Sequence, residues 1–236
     1  MTKQFTSVWT REPRQPKTAG LRRDQIVAAA VELLDAEGRE ALSMRKLGAK
    51  LGAGATSLYW HVANKDELLE LALDEIWGLV DTPEPDEASS WREVVTTFAY
   101  SLRVTMLAHP WVASMAVQMP SIGPNSLRLG DRLRRTFLRA GFAGVDVHLA
   151  TSTVMSYVLG QVIPAIATDK AFDGDLNTAN MMELMEQIGH DYPEMMADYR
   201  TTVPTDPDVA RAMAFDFGLL CVMDGLEARL RAAPKS

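Results

Sequence analysis

The chain has 236 residues, 47% of them apolar, and a formal net charge of −7. This length supports one large or two small domains with a real hydrophobic core, and the charge excludes a protein that is basic throughout. The one cysteine, Cys221, excludes an internal disulfide and fits a reducing cytoplasm.

Residues 1–20 carry Pro13, Pro16 and Gly20, show no helical period and have no apolar signal-peptide core, so they read as a flexible basic arm. With Arg22 and Arg23 the start of the chain holds six basic residues against Glu12. A first helix is predicted over 22–37, with Ile26, Val27, Ala30, Val31, Leu33 and Leu34 as its apolar stripe and Gly38 as its stop. Ser43 is a suitable cap for a helix over 44–51, where Leu47 and Leu51 face inward. Gly52 and Gly54 mark a turn before a short helix over 55–61. A fourth helix starts at Lys65 and runs to 80, with Leu68, Leu69, Ala72, Ile76 and Leu79 apolar. The polar, proline-bearing segment 81–89 is the expected domain boundary.

Ser90-Trp91-Arg92-Glu93 is a capping box, so a helix begins there and runs to Ala108, where His109-Pro110-Trp111 breaks it. A short helix, the turn at 120–125 and a helix over 124–140 closed by Gly141 follow. A long apolar helix is predicted over 145–167 with a kink at Pro164, then a polar loop over 168–177, methionine-rich helical pieces over 178–200 and a final helix over 207–231. No apolar run is expected to reach the ~18 residues of a membrane span. The expected fold class is all-α, with a three-helix head and connecting helix at 21–80 and a larger helical body at 81–236.

The stretch Ser43–Lys65 carries Arg45, Lys46, Lys50 and Lys65 and no acid, in a chain whose segment after residue 75 is net acidic. Two short helices with a tight turn between them are the layout of a helix-turn-helix, whose second helix enters the major groove. Ala55, Thr56 and Tyr59 open that helix: Thr56 offers a hydroxyl or a methyl to a base edge, Ala55 a methyl only, and Arg45 a fork for guanine. Ser57, Tyr59, Trp60, His61 and Lys65 are suited to phosphate, Lys65 at a helix N-terminus. Gly52-x-Gly54-x-x-Ser57 follows a helix and lacks a third glycine, against a dinucleotide loop.

The run Leu42-Ser43-Met44-Arg45-Lys46-Leu47, Leu51-Gly52, Ser57-Leu58-Tyr59-Trp60-His61-Val62 and Asn64-Lys65-Asp66-Glu67-Leu68-Leu69 resembles the DNA-binding signature of the tetracycline-repressor (TetR) family of bacterial transcription regulators. Phe215-Asp216-Phe217-Gly218 and Asp224-Gly225-Leu226-Glu227 are similar to the last helix of the tetracycline-repressor branch. The resemblance implies base contacts at Arg45, Ala55 and Thr56 and phosphate contacts at the neighbouring positions. That branch has Gln and Pro where this chain has Ala55 and Thr56, so its operator should not transfer. The resemblance also implies a cytoplasmic homodimer, built on the helices at 145–167 and 207–231 through Leu159, Val162, Ile166, Phe217, Leu220 and Leu226. Its partners would be a near-palindromic double-stranded operator and a small-molecule effector, with no membrane and no cofactor.

For the effector, the candidates are His109, Trp111, Gln118, Met119, Asn125, Tyr157, Gln161, Met181 and Met185, polar, aromatic or deformable residues on otherwise apolar body helices. Taken singly, each reads as core packing before ligand contact. The expected effector is apolar or aromatic, and the expected function is repression relieved by it. Arg128, Arg132, Arg135 and Arg139 form a stripe that reads as a solvated face with Asp131 paired to Arg128 or Arg135; a second DNA contact is the alternative. Glu183, Glu186, Gln187 and His190 read as a polar helix face, with a metal site as the alternative. No nucleophile elbow or carboxylate pair supports catalysis. The rival reading is an all-α ligand-binding protein or enzyme whose head is only structural; such a head would not need an acid-free basic face.

Overall fold

The computed structural model describes residues 7–10, 21–171, 183 and 185–232. Among them all regular structure is helical. In chain order the helices are α1 (Arg23–Ala41), α2 (Met44–Lys50), α3 (Ala55–Leu58), α4 (Lys65–Leu79), α5 (Trp91–Ala108), α6 (Trp111–Gln118), α7 (Pro124–Ala140), α8 (Val145–Ala171), α9 (Pro193–Thr202) and α10 (Pro207–Ala232). Short 3₁₀ turns stand at Val8–Thr10 and Gly189–Asp191.

The apolar stripes foreseen for the head meet one another. Ile26 and Leu34 of α1, Leu47 of α2, Leu58 of α3 and Leu68, Leu69 and Ile76 of α4 are almost wholly removed from solvent, each contributing about 1.5–3 kcal/mol of apolar burial. Gly38 breaks α1 where a stop was expected, with φ 76°, but the chain resumes one further turn to Ala41. Asn64 caps α4, its Oδ1 accepting from the Glu67 amide at 2.8 Å, while Glu67 accepts from the Ala63 amide at 2.9 Å. Ser90 caps α5 by accepting from the Glu93 amide; the Glu93 carboxylate reaches back to Ser89 rather than to Ser90.

The chain divides into two compact units, Met1–Thr151 and Ser152–Ser236. Within the first unit a polar joint that no hydrophobic period displays links α4 to α7 across the segment expected as a domain boundary. Asp74 of α4 is buried and accepts from the amides of Asn125 at 3.1 Å and Ser126 at 3.0 Å, the first turn of α7. Asn125 Nδ2 returns a bond to the Asp74 carbonyl at 3.0 Å. A Cβ on Gly123 would stand 2.3 Å from the Asp74 carboxyl, so only glycine lets α7 approach so closely. Further along, Trp91, Phe137 and Phe142 form an aromatic cluster with centroids 5.3–6.4 Å apart, joining the start of α5 to the end of α7.

Two other expectations change. The basic arm is not free along its whole length: Ser7 Oγ donates to Glu70 Oε1 and the Val8 amide to Glu70 Oε2 at 3.0 Å, with Ser7, Val8 and Glu70 all buried. A buried carboxylate needs donors, and these residues supply them. Helix α8 continues through Pro164 to Ala171, consuming the start of the predicted loop, and at 27 residues it is long and apolar enough to cross a membrane by length and composition alone. Threonines and serines hid that property in the sequence.

The α7 arginines face the connector. Arg132 and Arg135 pair with Glu84 at 2.6 and 2.7 Å, Arg139 pairs with Asp86, and Asp131 pairs with Arg134 and Arg135 rather than Arg128. The Arg135 hydrogen bond is the main cause that holds the Glu84 carboxyl below its usual range, against the opposing effect of burial. In the second unit, Tyr157 of α8 donates to the Phe215 carbonyl of α10 at 2.6 Å and packs on the Phe215 ring at 5.6 Å. A Cβ on Gly218 would lie 2.6 Å from the Tyr157 hydroxyl, so the crossing requires glycine.

Candidate nucleic-acid interface

Helices α2 and α3 are set by close backbone contact. A Cβ on Gly48 would meet the Ala53 carbonyl at 2.7 Å, and Gly52 turns the chain with φ 63°. Ser43 Oγ caps α2 by accepting from the Lys46 amide at 3.2 Å. Leu47, Leu58 and Val62 are buried beneath, so the opposite faces of α2 and α3 look outward. Regular helix ends at Leu58, shorter than expected, but bonds from the Trp60, His61 and Val62 amides to Ser57 and Leu58 carry one more turn.

On that outward face stand Arg45, Thr56 and Ser57, exposed, with Tyr59 and Trp60 at 45% and 49% exposure. Ala55 and His61 are half-buried. The side chains of Arg45, Thr56, Ser57 and His61 have no partner among the described residues. The other cations are engaged: Lys46 pairs with Glu37, and Lys50 with Glu32 at 2.8 Å. The stretch is acid-free in sequence, yet α1 brings two carboxylates to its edge. Lys65 is half-buried and donates to the Arg39 carbonyl at 3.0 Å, which leaves two of its three ammonium protons.

Most effector candidates have structural partners. Asp35 Oδ1 of α1 accepts from Trp111 Nε1 at 2.7 Å and contacts His109 Nδ1 at 2.7 Å, while Gln118 accepts from Arg39. These three therefore fasten α6 to α1. Asn125 belongs to the Asp74 joint and Tyr157 to the α8–α10 crossing. Met119 caps the end of α6, Gln161 is exposed, Met185 is half-buried, and Met181 lies outside the described residues. The sequence missed an apolar row on α5, where Tyr100, Val104 and Leu107 are exposed at i, i+4 and i+7. Their spacing was the available signal.

Among the residues named for the dimer, Phe217 and Leu220 are 74% and 53% exposed, and Leu159, Ile166 and Leu226 are half-buried. Val162 is buried within the single chain, so it has no surface to offer a second copy. Among the described residues Glu186 pairs with Arg200 at 3.0 Å, His190 contacts Asp191, and no group of three metal-ligating side chains assembles.

A three-helix head with a helix-turn-helix that presents Arg45, Thr56, Ser57 and His61 outward, without side-chain partners among the described residues, defines a DNA-binding regulator. Residues 26–72 match the family described as bacterial regulatory proteins, tetR family, and residues 82–230 match the tetracyclin repressor-like C-terminal domain. The chain is 45% identical over 157 residues to an HTH-type transcriptional regulator of Saccharopolyspora erythraea, covering 66% of each chain. It is 31% identical to the HTH-type transcriptional repressor DrrR1 of Streptomyces coeruleorubidus, covering 92% of this chain and 81% of that one. It is similar in structure to the TetR family protein ActR of Streptomyces coelicolor, solved in complex with actinorhodin, with a TM-score of 0.76 at 29% identity over 89% of this chain and 97% of that one. The chain belongs to the TetR family of DNA-binding transcriptional regulators, which are transcription factors and not enzymes.

Proposed function

We propose that the protein acts in the cytoplasm as a homodimer that holds a near-palindromic operator and is released from it by a small apolar or aromatic effector. Residues 21–80 read DNA, and residues 81–236 bind the effector and the second copy, although packing divides the chain after Thr151. Arg45, Ala55 and Thr56 meet base edges; Ser57, Tyr59, Trp60, His61 and Lys65 meet phosphates. The observation that carries this reading is the outward row of Arg45, Thr56, Ser57 and His61, exposed or half-buried and without partners among the described residues.

The dimer rests on Phe217 and Leu220, with Met213 beside them on the exposed side of α10. An aromatic ring this exposed next to two further apolar side chains is covered when α10 and α8 of two copies meet. The effector candidates that remain are Met119, Gln161, Met181 and Met185 from the sequence and the exposed α5 row Tyr100, Val104 and Leu107, while His109, Trp111, Gln118, Asn125 and Tyr157 hold neighbouring helices together. The effector acts through a difference in affinity for two head arrangements.

The test starts from a random duplex pool, selected on the purified protein and sequenced. A half-site repeated with twofold symmetry is expected. Actinorhodin, the molecule bound by ActR, is the first effector probe. A suitable effector raises thermal stability with concentration and lowers operator affinity, and the operator lowers effector affinity by the same factor. Failure to enrich any duplex overturns the DNA reading; an effector that binds without weakening operator affinity overturns the release mechanism.

A further inference from the structure

We propose that Arg39 is a positioning residue for Lys65, and that α6 sets it through Gln118. The proposal rests on the reading of Lys65 as a phosphate contact. Helix α6 grips α1 on both sides of the Gly38 break. Before the break, Asp35 Oδ1 takes Trp111 Nε1 at 2.7 Å and meets His109 Nδ1 at 2.7 Å. After it, the Arg39 guanidinium donates to Gln118 Oε1. Trp111 and Gln118 are the first and last residues of α6, so this helix is fixed to α1 at each of its ends.

The turn it holds is also the seat of Lys65. The Arg39 carbonyl, which takes the Leu42 amide at 3.4 Å at the end of α1, also accepts from Lys65 Nζ at 3.0 Å. One residue thus faces α6 with its side chain and the first residue of α4 with its backbone. Gly38, at φ 76° and with open space around the place of a Cβ, is the one point between the two grips where the backbone leaves helical geometry. A shift of α6 that keeps the Gln118 bond carries the Arg39 turn with it, and the Lys65 ammonium follows its carbonyl. The Lys65 side chain, pre-positioned in this way, presents its two remaining protons to a phosphate without first having to be ordered. His109, Trp111 and Gln118, named from the sequence as effector contacts, become the residues through which the body addresses the cation at the DNA face.

The experiment measures binding of the full chain to a short random-sequence duplex by fluorescence anisotropy across a range of ionic strength. Parent, Gln118→Leu, Lys65→Ala and the double variant are compared, with melting followed by circular dichroism. Gln118→Leu is expected to weaken binding roughly 2- to 30-fold, the range by which residues between coupled sites act, and to reduce the salt slope. In the Lys65→Ala background the same change is expected to do nothing further. Gln118→Leu without effect on affinity, or with equal effect in both backgrounds, overturns the proposal, the second because a merely structural role does not depend on Lys65. A Lys65→Ala protein with the parent's salt slope overturns the phosphate reading itself, and the two failures are told apart by that arm alone.

Discussion

Replacing Asp74 with alanine tests whether the joint between α4 and α7 is as firm as its geometry implies. The carboxylate takes two amides of the first turn of α7, from Asn125 and Ser126. Loss of a capping acceptor costs about 0.5–2 kcal/mol, and loss of a negative charge at a partly buried helix N-terminus adds up to about 2 kcal/mol. These overlap, because the charge acts through the same bonds. Orphaning the two amides costs about 1–3 kcal/mol each where water cannot reach them, and both residues are only part-buried. Water replaces part of what is lost, so we expect about 2–4 kcal/mol of destabilisation. At about 2–4 °C per kcal/mol for a chain of this size, melting should fall by about 4–16 °C. Asp74→Asn keeps one acceptor and should lose less. Calorimetry or urea unfolding at one fixed protein concentration measures both, since a dimer's stability depends on concentration. An alanine variant within about 0.5 kcal/mol of the parent would refute the claim that Asp74 holds the two helices together.

In DNA selection experiments, Arg45→Ala and Thr56→Ala should relax preference at defined base pairs, at about 1–3 kcal/mol for each well-formed base-edge interaction removed; equal weakening on specific and random duplexes would move them to the backbone. Phe217→Asp should yield monomer in sedimentation, because a charge placed in the shared face goes unpaired, whereas Val162→Ala, buried in one chain, should cost stability before it costs dimerisation. Gly218→Ala drives a methyl into the Tyr157 hydroxyl and should destabilise by about 1–3 kcal/mol, a cost that Tyr157→Phe should relieve in part. The Glu84 carboxyl is held below the usual value of about 4.3 when folded. Its contribution is therefore present above that value and lost as pH falls through the folded one. Urea titrations should show Glu84→Gln less sensitive than the parent to acid in that window, and identical profiles would mean that the arginine clamp on the connector is inert.

Read alone, the sequence determined the helices and the head. Period, Ser43 and Ser90 as caps, Gly52 as turn and Gly141 as stop are local signals, and they act within a few residues of where they stand. The spacing of Arg45, Thr56, Tyr59, His61 and Lys65 was legible for the same reason: one turn and two short helices fix it. What remained hidden depends on residues far apart in the chain. Lys46 and Lys50 looked free until α1 brought Glu37 and Glu32 beside them. His109, Trp111 and Gln118 looked like pocket residues until Asp35 and Arg39, about seventy to eighty positions earlier, took their polar atoms. Asp74 and Glu70 lie outside the apolar set Leu68, Leu69, Ala72, Ile76 and Leu79, yet both are buried, because α7 and the Ser7–Thr10 turn supply the donors that make a buried carboxylate tolerable. Hydrophobic period reports which face of a helix avoids water; only the packed structure decides which polar groups on that face find partners.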